Sequence, residues 1–368
     1  MLKTLIKFLS CFLLSSGLMA QEYKKDWAQG KLSWNDFSES KRDNGISEFR
    51  YFLGYNTGKQ VFGDTSLKRT IAHGYMDKKQ SWVNPDFRSD QNLRYNQVIF
   101  DLVEIHKRRL QHALDRINSQ REVERTFNLI YNECNTEIDK FQRQSMDGND
   151  LNSLILWEQK TDRELANHPN EKIPEFETRN FGYALHAGFG SGFFTGSLGK
   201  HFTSPFNFQY GFDFAFKRSI LFLNGTLAWG KAKSDFQNWD KGQQVTTAIL
   251  NFSFGYALID NTKIKLSPFV GWGVIELAGE NTEDKENGLR ITDHNLIFGI
   301  NADYKLFTRL KLIPNAYSGI KEKVETSIRA RLYITRANYY EDLNGYSINL
   351  TFGICGFGNF IRLKQTSL

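Results

Sequence analysis

The chain has 368 residues, 24% of them charged and 14% aromatic, with a formal net charge of +6. That length suggests two domains and a processed end. The basic excess is mild and contains no Lys/Arg run interleaved with aromatics, which excludes a nucleic-acid groove, and three cysteines exclude a disulfide framework.

Residues 1–20, "MLKTLIKFLSCFLLSSGLMA", place Lys3 and Lys7 before an apolar run and end on Leu18-Met19-Ala20 ahead of Gln21. This reads as a secretory signal peptide. Cys11 sits too early for a lipid anchor. Loss of the two lysines takes the charge from +6 down by two, to +4, and leaves Cys134 and Cys355 in different domains. After residue 20 no apolar stretch reaches ~18 residues, so no helix spans a bilayer. Such an exported chain is either soluble or crosses the outer membrane as a barrel.

Residues 21–166 read as a mainly helical α+β domain. "KLSWNDF" (31–37) and "QSWVNPDF" (80–87) flank two strand-like pieces, "ISEFRYFLGYN" and "SLKRTIAHGYM". Three helices follow. In 92–118 the stripe is Ile99, Leu102, Val103, His106, Leu110 and Ala113; in 121–143 it is Val123, Phe127, Ile130, Cys134, Ile138 and Phe141. The third, 150–166, begins its stripe with Leu151, Leu154 and Ile155. These spacings are helical. Pro169 and Pro174 mark 167–179 as a linker.

From 180 to 360 the pattern changes to period two. In "PFNFQYGFDFAFK" the residues Phe206, Phe208, Tyr210, Phe212 and Phe214 share one face, and Asn207, Gln209 and Asp213 share the other. Eight such strands follow one another, near 180–190, 205–217, 219–231, 245–259, 262–276, 292–307, 324–337 and 345–357. Each is long enough to span a bilayer, and a closed sheet satisfies every backbone group in hydrocarbon. The resulting expectation is an eight-stranded antiparallel transmembrane β-barrel, with Trp229 and Trp272 joining the lipid-facing aromatics. A soluble sandwich leaves the aromatic faces unexplained. Very short connections ("RS", "DNT") alternate with long polar ones ("KSDFQNWDKGQQ", "LAGENTEDKENGLR"). Outer-membrane barrels have short periplasmic turns and longer outer loops, so residues 21–179 are expected in the periplasm. The connection near 308–323 is long for a periplasmic turn, and the chain continues past Phe360 as "IRLKQTSL".

Asp213, Lys265, Asp303, Arg329 and Arg331 share the inward parity. A barrel this narrow is filled by side chains. These charges are therefore expected to pair as a plug rather than line a conduit.

The order "LSWNDF", "KKQSWVNPD", "LRYNQVIFDLVEIHKRRL" and "YNECNTEIDKFQRQSMDGNDLNSLILWEQKTDREL" is similar to a bacterial family of secreted zinc-dependent metallopeptidase-like proteins, otherwise a domain of unknown function. The likeness covers roughly 30–166. That family carries His-Glu-x-x-His on its active helix. Ser81-Trp82-Val83, Phe100-Asp101-Leu102, Asp147-Gly148 and Trp157 match its flanking elements. Tyr95 and Ile99 stand at the two ligand positions and Asn96 at the base position. Isoleucine has no lone pair and asparagine takes no proton, so the zinc mechanism is lost and no metal or cofactor is expected.

Asp101, Glu104, His106 and His112 on the same helix read as a solvated charged face. The sequence thus points to a non-catalytic outer-membrane barrel protein. Its periplasmic pseudo-peptidase domain would bind or scaffold, with outer-membrane lipid and an envelope protein as partners. Two alternatives stand beside it. One is a divergent metal-dependent hydrolase built on His73, Asp101 and His106. The other is a surface receptor or adhesin, resting on an exposed Trp239 in an outer loop.

Overall fold

The computed structural model describes residues 23–40, 45–170, 173–237, 239–279, 290–313 and 321–364. The expected signal peptide and most of the loop between the fifth and sixth barrel strands lie outside these residues. The described residues fall into two compact units. Within them, one draws on 23–59, 68–174 and 312–313, the other on 60–67, 175–311 and 321–364.

A hairpin of β1 (Tyr51–Phe62) and β2 (Thr65–Asp77), of which residues 60–67 count with the second unit, precedes three helices of the first. These are α1 (Asp90–Arg116), α2 (Gln120–Gln144) and α3 (Leu151–Asn167). Each starts where a short polar side chain takes an orphan backbone N–H. Ser89 accepts from Asn92, Ser119 from Glu122, and Asp150 from Asn152. From Val98 to His106 every residue of α1 is buried, so this is a central helix enclosed on all sides rather than an amphipathic one. Leu102, Val103 and Leu110 join Val123, Ile130, Cys134, Ile138 and Phe141 of α2 and Leu154 and Trp157 of α3 in one core. Each fully buried aliphatic side chain contributes about 1.5–3 kcal/mol. In α3 the buried face is Leu154, Trp157 and Thr161, while Leu151 and Ile155 are exposed. The large indole, not the first leucine, sets which way this helix turns, because Trp157 packs edge-on against Phe141 at 5.5 Å.

The second unit is a closed barrel of eight antiparallel strands. They are β3 (Phe176–Phe194), β4 (Phe206–Phe216), β5 (Ser219–Lys231), β6 (Gln244–Tyr256), β7 (Ile264–Gly279), β8 (Arg290–Lys311), β9 (Glu322–Tyr340) and β10 (Leu343–Leu363). Each pairs with the next in sequence, and β10 pairs back onto β3, which closes the ring. In the ladders Phe252 sits opposite both Leu223 and Trp272. Lys217 takes a positive φ of 55° in the two-residue turn that joins β4 to β5.

Several strands outrun their apolar stretch. β3 begins at Phe176, inside the segment expected as a linker over 167–179, and pairs Phe176 with Leu363. The barrel therefore extends beyond 180–360 at both ends. β8 and β9 run to Lys311 and from Glu322, which shortens the connection expected over 308–323. Backbone pairing continues there through polar sequence, where hydropathy gives no signal. Ion pairs of Glu325 with Lys305 (3.0 Å) and Lys323 (2.7 Å) flank this extension.

The loop after β5 also differs from expectation. Trp239 is 2% exposed rather than displayed. It packs edge-on against Phe202 at 5.3 Å, and residues 236 and 239 exchange backbone hydrogen bonds that fold the loop back. A buried indole removes the exposed aromatic on which the adhesin alternative rested.

Candidate functional site

Tyr95 and Ile99 lie one turn apart on α1, with Asn96 beside them. The structure brings all three to a single cavity of about 400 Å³. Residues 47–51 form one wall and Tyr131, Asn135, Ile138, Asp139 and Gln142 of α2 another. The first wall is held in place by a small sheet in which Trp82–Val83 pairs parallel with Ser38–Glu39 and antiparallel with Ser47–Glu48. The backbone N–H of Arg50 donates to the hydroxyl of the fully buried Ser81 at 3.0 Å. Thus the Ser81-Trp82-Val83 segment positions the strand that faces Tyr95, Asn96 and Ile99.

Asn96 is 1% exposed. Its Nδ2 donates to Ser47 Oγ (3.1 Å), Asn92 O (2.8 Å) and Asn92 Oδ1 (3.2 Å). Its Oδ1 is buried with no hydrogen-bond donor. Tyr51 donates its hydroxyl to Asn135 Oδ1 at 2.5 Å. Tyr95 stacks on Phe141 at 5.2 Å, accepts from Gln142 Nε2 at 3.0 Å, and lies 3.4 Å from Asp147 Oδ1. Gly148 presses against it with φ +88°, and a Cβ there would stand 2.8 Å from Tyr95 Cβ. Sequence order alone does not show that the Asp147-Gly148 turn meets Tyr95; the fold of α2 back along α1 does it.

The three motif positions offer this cavity only neutral groups. Burial pushes the Tyr95 phenol up to about 12, so it is un-ionised at neutral pH and a poor metal ligand. Ile99 has no donor atom. Among the described residues no group of three His, Cys, Asp or Glu is placed to hold a metal ion.

His73, Asp101 and His106 do not converge. His73 Nε2 meets Asn56 Oδ1 at 2.9 Å. Asp101 Oδ1 accepts from Trp27 Nε1 and Gln97 Nε2, each at 2.7 Å. His106 places Nδ1 2.8 Å from the Leu102 carbonyl and Nε2 3.4 Å from Glu137. Burial holds the His106 pKa below its ordinary value, so that last contact is not an ion pair at neutral pH. Five residues of helix separate Asp101 from His106, which turns them about 140° apart. The solvated charged face expected here is a buried one. Glu104 is 2% exposed and is satisfied by Lys107 (2.6 Å) and Arg108 (2.8 Å), and His106 is fully buried. Helical spacing showed which polar residues share α1 but not that neighbouring elements cover them.

Asp101 carries a pH prediction. Burial raises its carboxyl from 3.8 to about 6. The folded state then binds the proton more tightly than the unfolded state, so this group's contribution to stability falls as pH rises from about 4 to 6. The difference is about 2–3 kcal/mol. Asp101→Asn, which keeps an acceptor for Trp27, should flatten the fall. Helix unfolding followed by circular dichroism of the full chain in detergent at pH 4 and pH 7 checks it. An unchanged slope in the variant would refute the assignment.

Inside the barrel, inward polar and charged side chains sit beside a buried apolar cluster that includes Phe222, Phe269, Ile275 and Ile297. Arg329 meets Asp303 through Nε (2.7 Å) and Nη2 (3.1 Å), and its Nη1 makes an ion-pair contact with Asp213 at 2.7 Å. His186 Nε2 is 3.5 Å from Asp213. Lys265 lies over the Phe357 ring at 3.7 Å. Arg331 stacks on Phe269 at 4.0 Å and donates to Asn301 at 3.3 Å. Tyr333 donates to Thr226 at 2.9 Å, and Asn207 to Asn349 at 2.7 Å. The five charges singled out by parity thus sit inside, each at most 5% exposed. The outward set is bare. Phe206, Tyr210, Phe212, Phe214, Trp229 and Trp272 are 40–55% exposed, and Phe208 on the same face is half-buried beneath Phe189 and Tyr210.

No family model matches the chain, and no curated protein matches it. The peptidase-like resemblance therefore stands on its residues alone. Among solved structures, the chain is similar to Neisserial surface protein A (NspA), at 10% identity over 49% of this chain and 97% of that one, with a TM-score of 0.32. It is also similar to Ail, the attachment invasion locus protein of Yersinia pestis, at 7% identity over 50% of this chain and 99% of that one, with a TM-score of 0.28. A third is the N-terminal β-barrel domain of Pseudomonas aeruginosa OprF, at 12% identity over 49% and 99%, with a TM-score of 0.25. The barrel assignment itself rests on the strand ladders of this chain.

Proposed function

We propose that this chain is a non-catalytic outer-membrane barrel protein whose N-terminal unit is a binding module in the periplasm, built on a degenerate metallopeptidase-like fold. The observation that carries the reading is the outer wall. Strand after strand turns large apolar side chains outward, including Leu185, Leu250, Phe254, Phe298, Phe352 and Ile354, all more than half exposed. A soluble surface rarely carries an apolar patch beyond a few hundred Å². Hydrocarbon covers such a wall, and the closed ladder leaves no backbone edge unpaired within it.

β3 begins at the end of the barrel that carries the 217–218 turn, opposite the long connections 195–205 and 232–243, which favours a periplasmic N-terminal unit, although the short 341–342 turn also lies at that far end. The lumen filled by Arg329, Arg331 and their partners favours a plug over a conduit. The loss of ligand chemistry at Tyr95, Asn96 and Ile99, with the cavity beside them kept open, favours binding without zinc catalysis.

Fractionation of expressing cells tests the location. The mature protein should sediment with outer membranes and change its gel mobility on boiling. If it stays in solution without detergent, the membrane reading is overturned. Cross-linking in intact cells should capture an envelope partner through the N-terminal unit. Stoichiometric metal in the purified chain together with peptide cleavage would overturn its non-catalytic half.

A further inference from the structure

We propose that the cavity walled by Asn96, Tyr51 and Asn135 is a subsite for a neutral sugar bearing hydroxyl and acetamido groups. The inference rests on the reading of the N-terminal unit as a binding module and names what the module takes.

The first observation is the unmet acceptor. Asn96 spends its Nδ2 on three protein oxygens, while its buried Oδ1 receives no donor. A buried acceptor left unsatisfied is costly, so the Asn96 amide would gain if a small rotation towards the cavity let it take an O–H or N–H from a ligand. The second is the balance of charge on the walls. Glu48 and Asp139 bring two carboxylates against one guanidinium, Arg50, and that guanidinium already contacts Glu48. A phosphate or carboxylate ligand would meet net repulsion.

The third is the kind of polar group offered. Ser47, Tyr51 and Tyr131 present hydroxyls, and Asn96, Asn135 and Gln142 present amides. These groups both donate and accept, which matches sugar hydroxyls and acetamides that do the same. Phe49 and the tyrosine rings supply apolar faces for the C–H side of a sugar ring. The aliphatic side chains of the wall, Ile99 and Ile138, are 3% and 6% exposed, so no apolar pit remains to anchor a peptide side chain. About 400 Å³ lies within the range of small-ligand pockets.

The test uses the full chain in detergent micelles, titrated with triacetylchitotriose and followed by calorimetry. Saturable binding is expected. Asp139→Ala, at an exposed rim position, should weaken it roughly tenfold, and Asn96→Leu should abolish it. The melting of the helical unit is measured for both variants, and Asp139→Ala serves alone if the Asn96 variant does not fold. No saturable heat, or affinity unchanged by Asp139→Ala, overturns the sugar assignment. If cross-linking still captures an envelope protein, the binding-module reading survives that failure; if capture is also absent, both fall.

Discussion

Arg329→Met should destabilise the barrel by about 3–5 kcal/mol, the loss typical of breaking a buried charge pair from one side. Arg329 is 4% exposed and lies between Asp213 and Asp303, which are 1% and 5% exposed. Removing the guanidinium leaves two carboxylates in the lumen whose nearest charged partner is gone. Lys265 cannot replace it without leaving the Phe357 ring. The penalty arises from stranded charge rather than from the value of the bridge itself. The compensated variant Asp213→Asn/Asp303→Asn/Arg329→Met should therefore recover most of the loss. Urea unfolding in detergent micelles, read by gel mobility without boiling, measures both. If Arg329→Met matches the parent chain, the lumen is hydrated and the plug reading is wrong.

Leu250→Arg is the second large effect. Leu250 is 61% exposed, lies mid-way along β6, and points outward between Gly225 and Val274 in the ladders. An arginine near the mid-plane of a bilayer costs about 2–4 kcal/mol, falling towards zero near the interface. Phe206→Arg, at the start of β4, should cost clearly less. On a solvated wall neither change would matter, since exposed substitutions alter stability little. Folding into lipid vesicles over a urea series gives the two values. Equal and negligible costs at the two positions would show that hydrocarbon does not cover this face.

The two halves of the chain were legible to different depths. Period-two alternation of the kind seen from Phe206 to Phe216 has one explanation in backbone geometry, since successive side chains of a strand point to opposite faces. The eight strands, their inward charges and their outward aromatics could therefore be named without coordinates. The strand ends could not. At Phe176–Thr178 and beyond Phe360 the pairing persists where apolar alternation stops, because a ladder is made by backbone groups that hydropathy does not see. Apolar stripes at helical spacing likewise exposed the three helices.

What only the tertiary structure decided is what covers each face. Linear spacing gave Asp101, Glu104 and His106 a solvated surface, and packing on α1 buried all three. It gave Trp239 to solvent, and a folded-back loop took it inside. It singled out Tyr95, Asn96 and Ile99 only through a resemblance. Contacts among residues far apart in the chain then showed that Ser47, Asn135 and Asp147 surround them. Local sequence determines which elements form, because propensity and periodicity act over a few residues. Burial and the contents of a cavity depend on partners tens of residues away, and no local pattern encodes them.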